Sequence, residues 1–281
     1  MHDGRYKAPT YQGCPVIRLP HNPDDVAMVL RRLCGVDRYE PVLRFDKLRP
    51  LLFLGKEFQI PGLWDEAVAR LVTLFPPTLE AYDALTERGG PPLFVFPHDQ
   101  KLTRFDYSVA RLAFEFQLRS ILPLALYSLA ADEPVALLEL MDEHARAATP
   151  YDMSVIQACY VGREALAYQR KNHTLAFFDG ALSPACASPG ECGAALKGVR
   201  EHARSARVLA ETRTDALEDL SEYIEEELAW QTCEACTAFF KARHLEGRRK
   251  VFAELGSGTC FDVDFYFGPI GAPTVPPVPV H

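Results

Sequence analysis

The stretch from Ile121 to Ala131 constrains this chain most. Its eleven residues are apolar save for Ser128, and they include Pro123. That is about half of the roughly 20 residues a bilayer span needs. The run therefore reads as a helix buried on every side, so other elements must surround it. The chain can supply them. With 281 residues, 48% of them apolar, it can bury roughly 70–75% of the surface its unfolded form exposes. One large domain or two small ones fit this length.

The surrounding pattern is mostly helical. Cys14 to Leu19 is expected to be a short strand. Asn22-Pro23-Asp24-Asp25 opens a helix, with Asn as cap, Pro at the first helical position and two acids at the positive end of the dipole. Val26, Val29, Leu30 and Leu33 then predict one core-facing side. Further helices are expected from Leu48 to Phe58, with Pro50 in the first turn, from Leu63 to Phe75, and from a Thr78 cap to about Thr86. Arg88 to His98, rich in Pro and Gly, reads as a linker. Beyond it, helices are predicted near 99–117, 120–130, 134–147, 152–160, 162–174, 189–210, 214–229 and 235–254. Ser188-Pro189-Gly190-Glu191 has the form of a capping box. From Gly256 the chain changes to Gly-Ser-Gly-Thr-Cys, an aromatic run and a Pro-rich end. The aromatic run has two readings, an extended segment that packs back or part of a flexible tail over 256–281.

Charge excludes one class of partner. The net charge is -8, and no basic face of the kind that neutralises nucleic-acid phosphates is evident. Arg248-Arg249-Lys250 reads as a solvated helix face. The first twenty residues, with Pro9, Pro15 and Pro20, do not form a secretory signal. No stretch is long enough to cross a membrane. The eight cysteines are then expected to be reduced, mostly small and buried, and the expected location is cytoplasmic or nuclear.

Common catalytic patterns are missing: no phosphate loop, no dinucleotide fingerprint, no nucleophile elbow and no His-Glu-x-x-His. Asp65-Glu66, Asp142-Glu143, His144 and His98-Asp99 read as isolated surface groups. No catalytic residue is assigned. The cysteines offer more. Cys186 and Cys192 sit at the start of one helix, Cys233 and Cys236 near the start of another. Four converging thiolates could hold a tetrahedral zinc, closed to water and so structural, with His244 as a replacement for one of them. The other reading is four half-buried small residues at helix starts, with no cofactor.

Three segments resemble the BTB/POZ family. Gly13 to Leu19 followed by Asp24 to Leu30 looks like its last strand and following helix. Leu51 to Ile60, with Leu54-Gly55-Lys56, is similar to its "L-x-L-G-x-K-Y-Q-I" helix end. Leu63 to Leu71, closing with Leu74-Phe75-Pro76, resembles its last helix. The remainder, with Tyr160 to Leu166, Cys186 to Cys192 and Cys233-x-x-Cys236, is similar to the helical extension of fungal BTB/POZ proteins. Nothing before Gly13 matches the family's opening strands and helical hairpin, so the resemblance implies a domain lacking its front half. Val16, Ile17, Leu19, Val29, Leu33, Leu51 and Leu54 would then line an uncovered apolar surface. The implied fold is mainly α, a residual BTB/POZ-like α/β part over 1–87, a linker over 88–98 and a helical domain over 99–255. The implied function is non-enzymatic protein–protein interaction as adaptor or scaffold. The expected partners are other proteins, with a homodimer left open and no partner-binding residue assigned. A zinc-stabilised helical module is the alternative, and an enzyme with an unrecognised site the third reading.

Overall fold

The computed structural model describes residues 10–37, 42–88, 94–95, 102–131, 139, 149–205, 209–210 and 213–268. Helix dominates them. The described strands are two-residue pieces: Thr10–Tyr11 (β1) pairs antiparallel with Cys14–Pro15 (β2), and Leu43–Arg44 (β3) pairs parallel with Phe94–Val95 (β4). Two compact units form. One comprises the described residues of Met1–Ala67 and Leu93–Val95, the other those of Val68–Pro92 and Phe96–His281. The division falls inside one helix.

In the first unit, Pro23–Leu33 (α1) starts as its sequence dictates. Asn22 Oδ1 accepts the Asp24 N–H at 2.9 Å, and Pro23 occupies the first turn. Its core side is narrower than the periodicity suggests. Val29 is buried, whereas Leu30 and Leu33 are about half exposed. The strand expected over Cys14–Leu19 shortens to two residues, because Thr10–Tyr11 is the only described edge that pairs with it. Val16, Ile17 and Leu19 are exposed as expected, but Leu51 and Leu54, with Val29, are core. Leu48–Glu57 (α2) keeps Pro50 in its first turn. It turns into Pro61–Leu74 (α3) through Gln59, which holds a left-handed φ of 52° while the Ile60 N–H reaches Gly55 O at 2.8 Å. This is a Schellman-type stop with Gln where Gly is usual. Gly55 suits the turn for another reason: a Cβ there would sit tightly against the chain, 3.0 Å from the Trp64 nitrogen.

In the second unit, Leu79–Arg88 (α4) is capped by Thr78, whose Oγ1 accepts from the Ala81 N–H. Leu102–Phe116 (α5), Leu122–Ala131 (α6) and Pro150–Gln169 (α7) pack on one another. The apolar run of α6 is buried along almost its whole length. Its neighbours therefore supply what a chain with such a run must have. The expected break near residue 161 does not occur. Thr149 and Asp152 close a capping box, and α7 continues for 20 residues before a π-helical turn, Arg170–Thr174. Pro189–Ser205 (α8), Ser221–Leu228 (α9) and Glu234–Glu254 (α10) follow. The helix expected over 214–229 is cut to its second half, because the chain before it bonds to α6 instead. Thr214 Oγ1 donates to Ala130 O at 2.9 Å, and the Tyr127 hydroxyl accepts the Leu217 N–H at 3.0 Å.

The segment after α10 packs back onto the unit. Phe261 is fully buried against Gly162, where any Cβ would overlap its ring, and Val263–Phe267 (α11) closes the described chain. Residues 269–281 and the helix expected over 134–147, Glu139 apart, lie outside the described residues. So do His98-Asp99, Asp142-Glu143, His144 and most of the expected linker. Among the described residues, no helix is long and apolar enough to cross a membrane.

Candidate metal centre

Two local structures aim four thiols at one point. The first is the α10 N-terminus. Cys233 is the N-cap, with extended φ and ψ of -68° and 154°, and Cys236 stands three residues on. The Cys236 N–H donates to Cys233 O at 2.9 Å, which folds the Cys-x-x-Cys loop so that both sulfurs face the same side. The second is the approach to α8. A turn at Ser183, where the Cys186 N–H donates to Ser183 O at 3.0 Å, returns Cys186 toward Cys192 in the first turn of the helix. Ser188 turns its hydroxyl to Cys192 Sγ, 3.5 Å away, a contact absent from the expected capping box.

The four sulfurs of Cys186, Cys192, Cys233 and Cys236 all lie within 4.8 Å of one another. Cys186 Sγ and Cys233 Sγ are 3.8 Å apart. A tetrahedral ion with metal–sulfur bonds of about 2.3 Å places its ligands about 3.8 Å from one another, so this donor set fits zinc. No disulfide joins any of the eight cysteines. Backbone hydrogen bonds reach these sulfurs. Cys192 Sγ accepts the Cys233 N–H at 3.3 Å. Backbone hydrogen bonds from Ala187 and Cys236 bring the Cys233 thiol down to about 6. Burial, together with the neighbouring thiols, pushes Cys236 up to about 12. Without a positive ion, this cluster therefore resists carrying four charges.

Cys192 and Cys236 are buried in the same apolar cluster as Phe178, Leu196, Ile224, Leu228 and Phe240, while Cys186 and Cys233 stand at its margin. The cysteines thus join α8, α9 and α10 at their meeting point. His244, expected as a replacement ligand, is not one. It is fully buried, its Nδ1 faces Thr174 O at 2.9 Å, and its Nε2 accepts the Leu220 N–H at 2.9 Å. Both ring nitrogens are engaged, which a Cys/His count cannot reveal.

Arg248 also departs from its expected solvated face. It is 2% exposed. Its guanidinium bonds Asp83 at 2.5 and 3.0 Å, Asp219 at 3.2 Å and Leu217 O at 3.0 Å. Asp65 is exposed, but Glu66 next to it holds Arg32 at 2.7 Å. No family model, curated protein or solved structure matches this chain.

Proposed function

We propose that this chain is a non-enzymatic, protein-binding helical module whose second unit is clamped by one structural zinc ion on Cys186, Cys192, Cys233 and Cys236. The observation that carries the metal is the mutual approach of the four sulfurs to within 4.8 Å. Four sulfurs leave no coordination position for water, so the ion would serve folding rather than chemistry. By tying the turn before α8 to the first turn of α10, it fixes the core cluster these helices share.

The binding role is supported by the first unit. Ile17 is 77% exposed, Leu33 52% and Val36 60%, and the last two sit three residues apart at the end of α1. Exposed apolar side chains that join into one patch mark contact surfaces. The residual BTB/POZ-like reading of this unit rests on the order of α1, α2 and α3 and on the Leu54-Gly55-Lys56 helix end, and it assigns no partner.

Chelation tests the proposal. Zinc-supplied protein is melted with and without a strong chelator, beside Cys192→Ser and the exposed-site control Cys34→Ser. The expected result is a midpoint lowered by about 10 °C on chelation and in Cys192→Ser, what roughly 4 kcal/mol is worth to a unit of this size. Equal midpoints throughout would refute a structural ion.

A further inference from the structure

Between the π-helical turn, α8 and α10 lies a cavity of about 650 Å³. Its walls gather six cations from four separate segments. Arg170 and Lys171 come from the π turn, Arg200 and Arg204 from α8, Arg213 from the chain before α9, and Arg243 from α10. Described carboxylates answer some of them. Asp179 takes Arg243 in a two-pronged pair at 2.7 Å. Asp215 and Glu218 take Arg213 and the buried Arg170. Among the described residues, Arg200 and Arg204 make no close ion pair, although Arg200 lies near enough to Asp179 to help hold its carboxyl below the usual range. They stand one helical turn apart, so both reach the same wall. Leu175, Ala176 and Phe178 give the cavity an apolar side.

A fold does not concentrate like charge around a concave space without cost, since each guanidinium weakens its neighbours. This happens here in a chain whose net charge is -8. Guanidinium forks match phosphate oxygens two at a time, and the volume lies within the usual range for small-molecule sites.

We propose that this cavity binds a small polyphosphorylated molecule, its phosphate chain held by Arg200 and Arg204 and its organic part, where one is present, against Leu175 and Phe178. A small anion is favoured over an acidic protein. The chain's overall negative charge repels a large acidic partner, whereas a small ligand senses the local field within a Debye length of about 8 Å. The proposal stands independently of the metal.

The test is isothermal titration of the zinc-supplied chain with inorganic tripolyphosphate and, separately, with ATP. Metal content is read before and after, so that loss of zinc to the phosphate is not taken for binding. Saturable binding near one per chain is expected, with the dissociation constant raised about tenfold or more in Arg200→Gln/Arg204→Gln, two charge-assisted contacts being lost. Both side chains are solvent-accessible, and an unchanged melting curve confirms that this variant folds. Tighter binding of ATP identifies a nucleotide, and equal binding identifies the phosphate chain alone; each supports the site. Lys197→Gln/Lys250→Gln, which removes the same charge outside the cavity, should bind as the parent does. An equal loss in that control, or no saturable heat up to about millimolar ligand, overturns the proposal.

Discussion

Arg248 and His244 stand one turn apart on α10, and Asp219, which pairs with Arg248 at 3.2 Å, lies 3.5 Å from His244 Nε2. In the sequence Arg248 is one of three consecutive basic residues, and nothing local distinguishes it from Arg249, which is exposed, or Lys250. Its partner Asp83 is 165 residues away, a separation no helical pattern carries. Removing this guanidinium leaves Asp83 and Asp219 facing a space it had filled. Arg248→Met should cost about 3 kcal/mol, the low end for breaking a buried pair, because both carboxylates stay partly hydrated. Chemical denaturation measures this, and a loss below about 1 kcal/mol would place the pair among surface bridges. For His244, burial and the nearby Arg248 hold the imidazole below its ordinary value of 6.5. Above pH 6.5 both folded and unfolded states are neutral at this site. As the pH falls through that value, the unfolded chain takes up a proton that the folded chain refuses. Stability should then decline by up to about 1.4 kcal/mol per pH unit. His244→Asn should show a shallower decline as the pH falls below 6.5, and parallel slopes for parent and variant would contradict this account.

At the scale of elements, signals within one turn of each other were legible and signals from packing were not. The Asn22 cap, Pro50 in the first turn of α2, the Thr78 cap and the span of α10 followed from neighbours in sequence. The continuity of α7 through residue 161 did not, because Gly162, at the expected break, is the seat of Phe261, far away in sequence. The loss of helix before Ser221 depends on Tyr127 and Ala130, about 85 residues earlier. The π turn has a similar origin. Gly247 of α10 lies so close to the turn that an added Cβ would overlap the His173 carbonyl, a backbone group that cannot rotate away. Gly247→Ala should therefore destabilise the chain by about 3 kcal/mol despite Ala's better helix propensity. A rise in melting temperature, the usual effect of Gly→Ala inside a helix, would show that α10 and the π turn have room to separate.

Across the whole molecule, composition was a good guide to class and a poor one to sites. Abundant helical periodicity and one eleven-residue apolar run foretold a mainly helical chain with α6 at the centre of its cluster. The cysteine pairs were legible because Cys-x-x-Cys at a helix start is a local pattern. The looser Cys186–Cys192 spacing becomes intelligible only through the turn at Ser183. The cationic cavity was not legible. Its six side chains are scattered over more than seventy positions of an acidic chain, and only the one-turn spacing of Arg200 and Arg204 left a trace.

The central claim is tested most directly by elemental analysis of the monodisperse chain, with X-ray absorption at the zinc edge on the same sample. The account predicts one zinc per chain, with four sulfur neighbours at about 2.3 Å. In Cys192→Ser/Cys236→Ser the metal should fall to background. A folded, monodisperse chain that holds no zinc after expression with the metal supplied, or a zinc with nitrogen and oxygen neighbours that survives the double substitution, would contradict it.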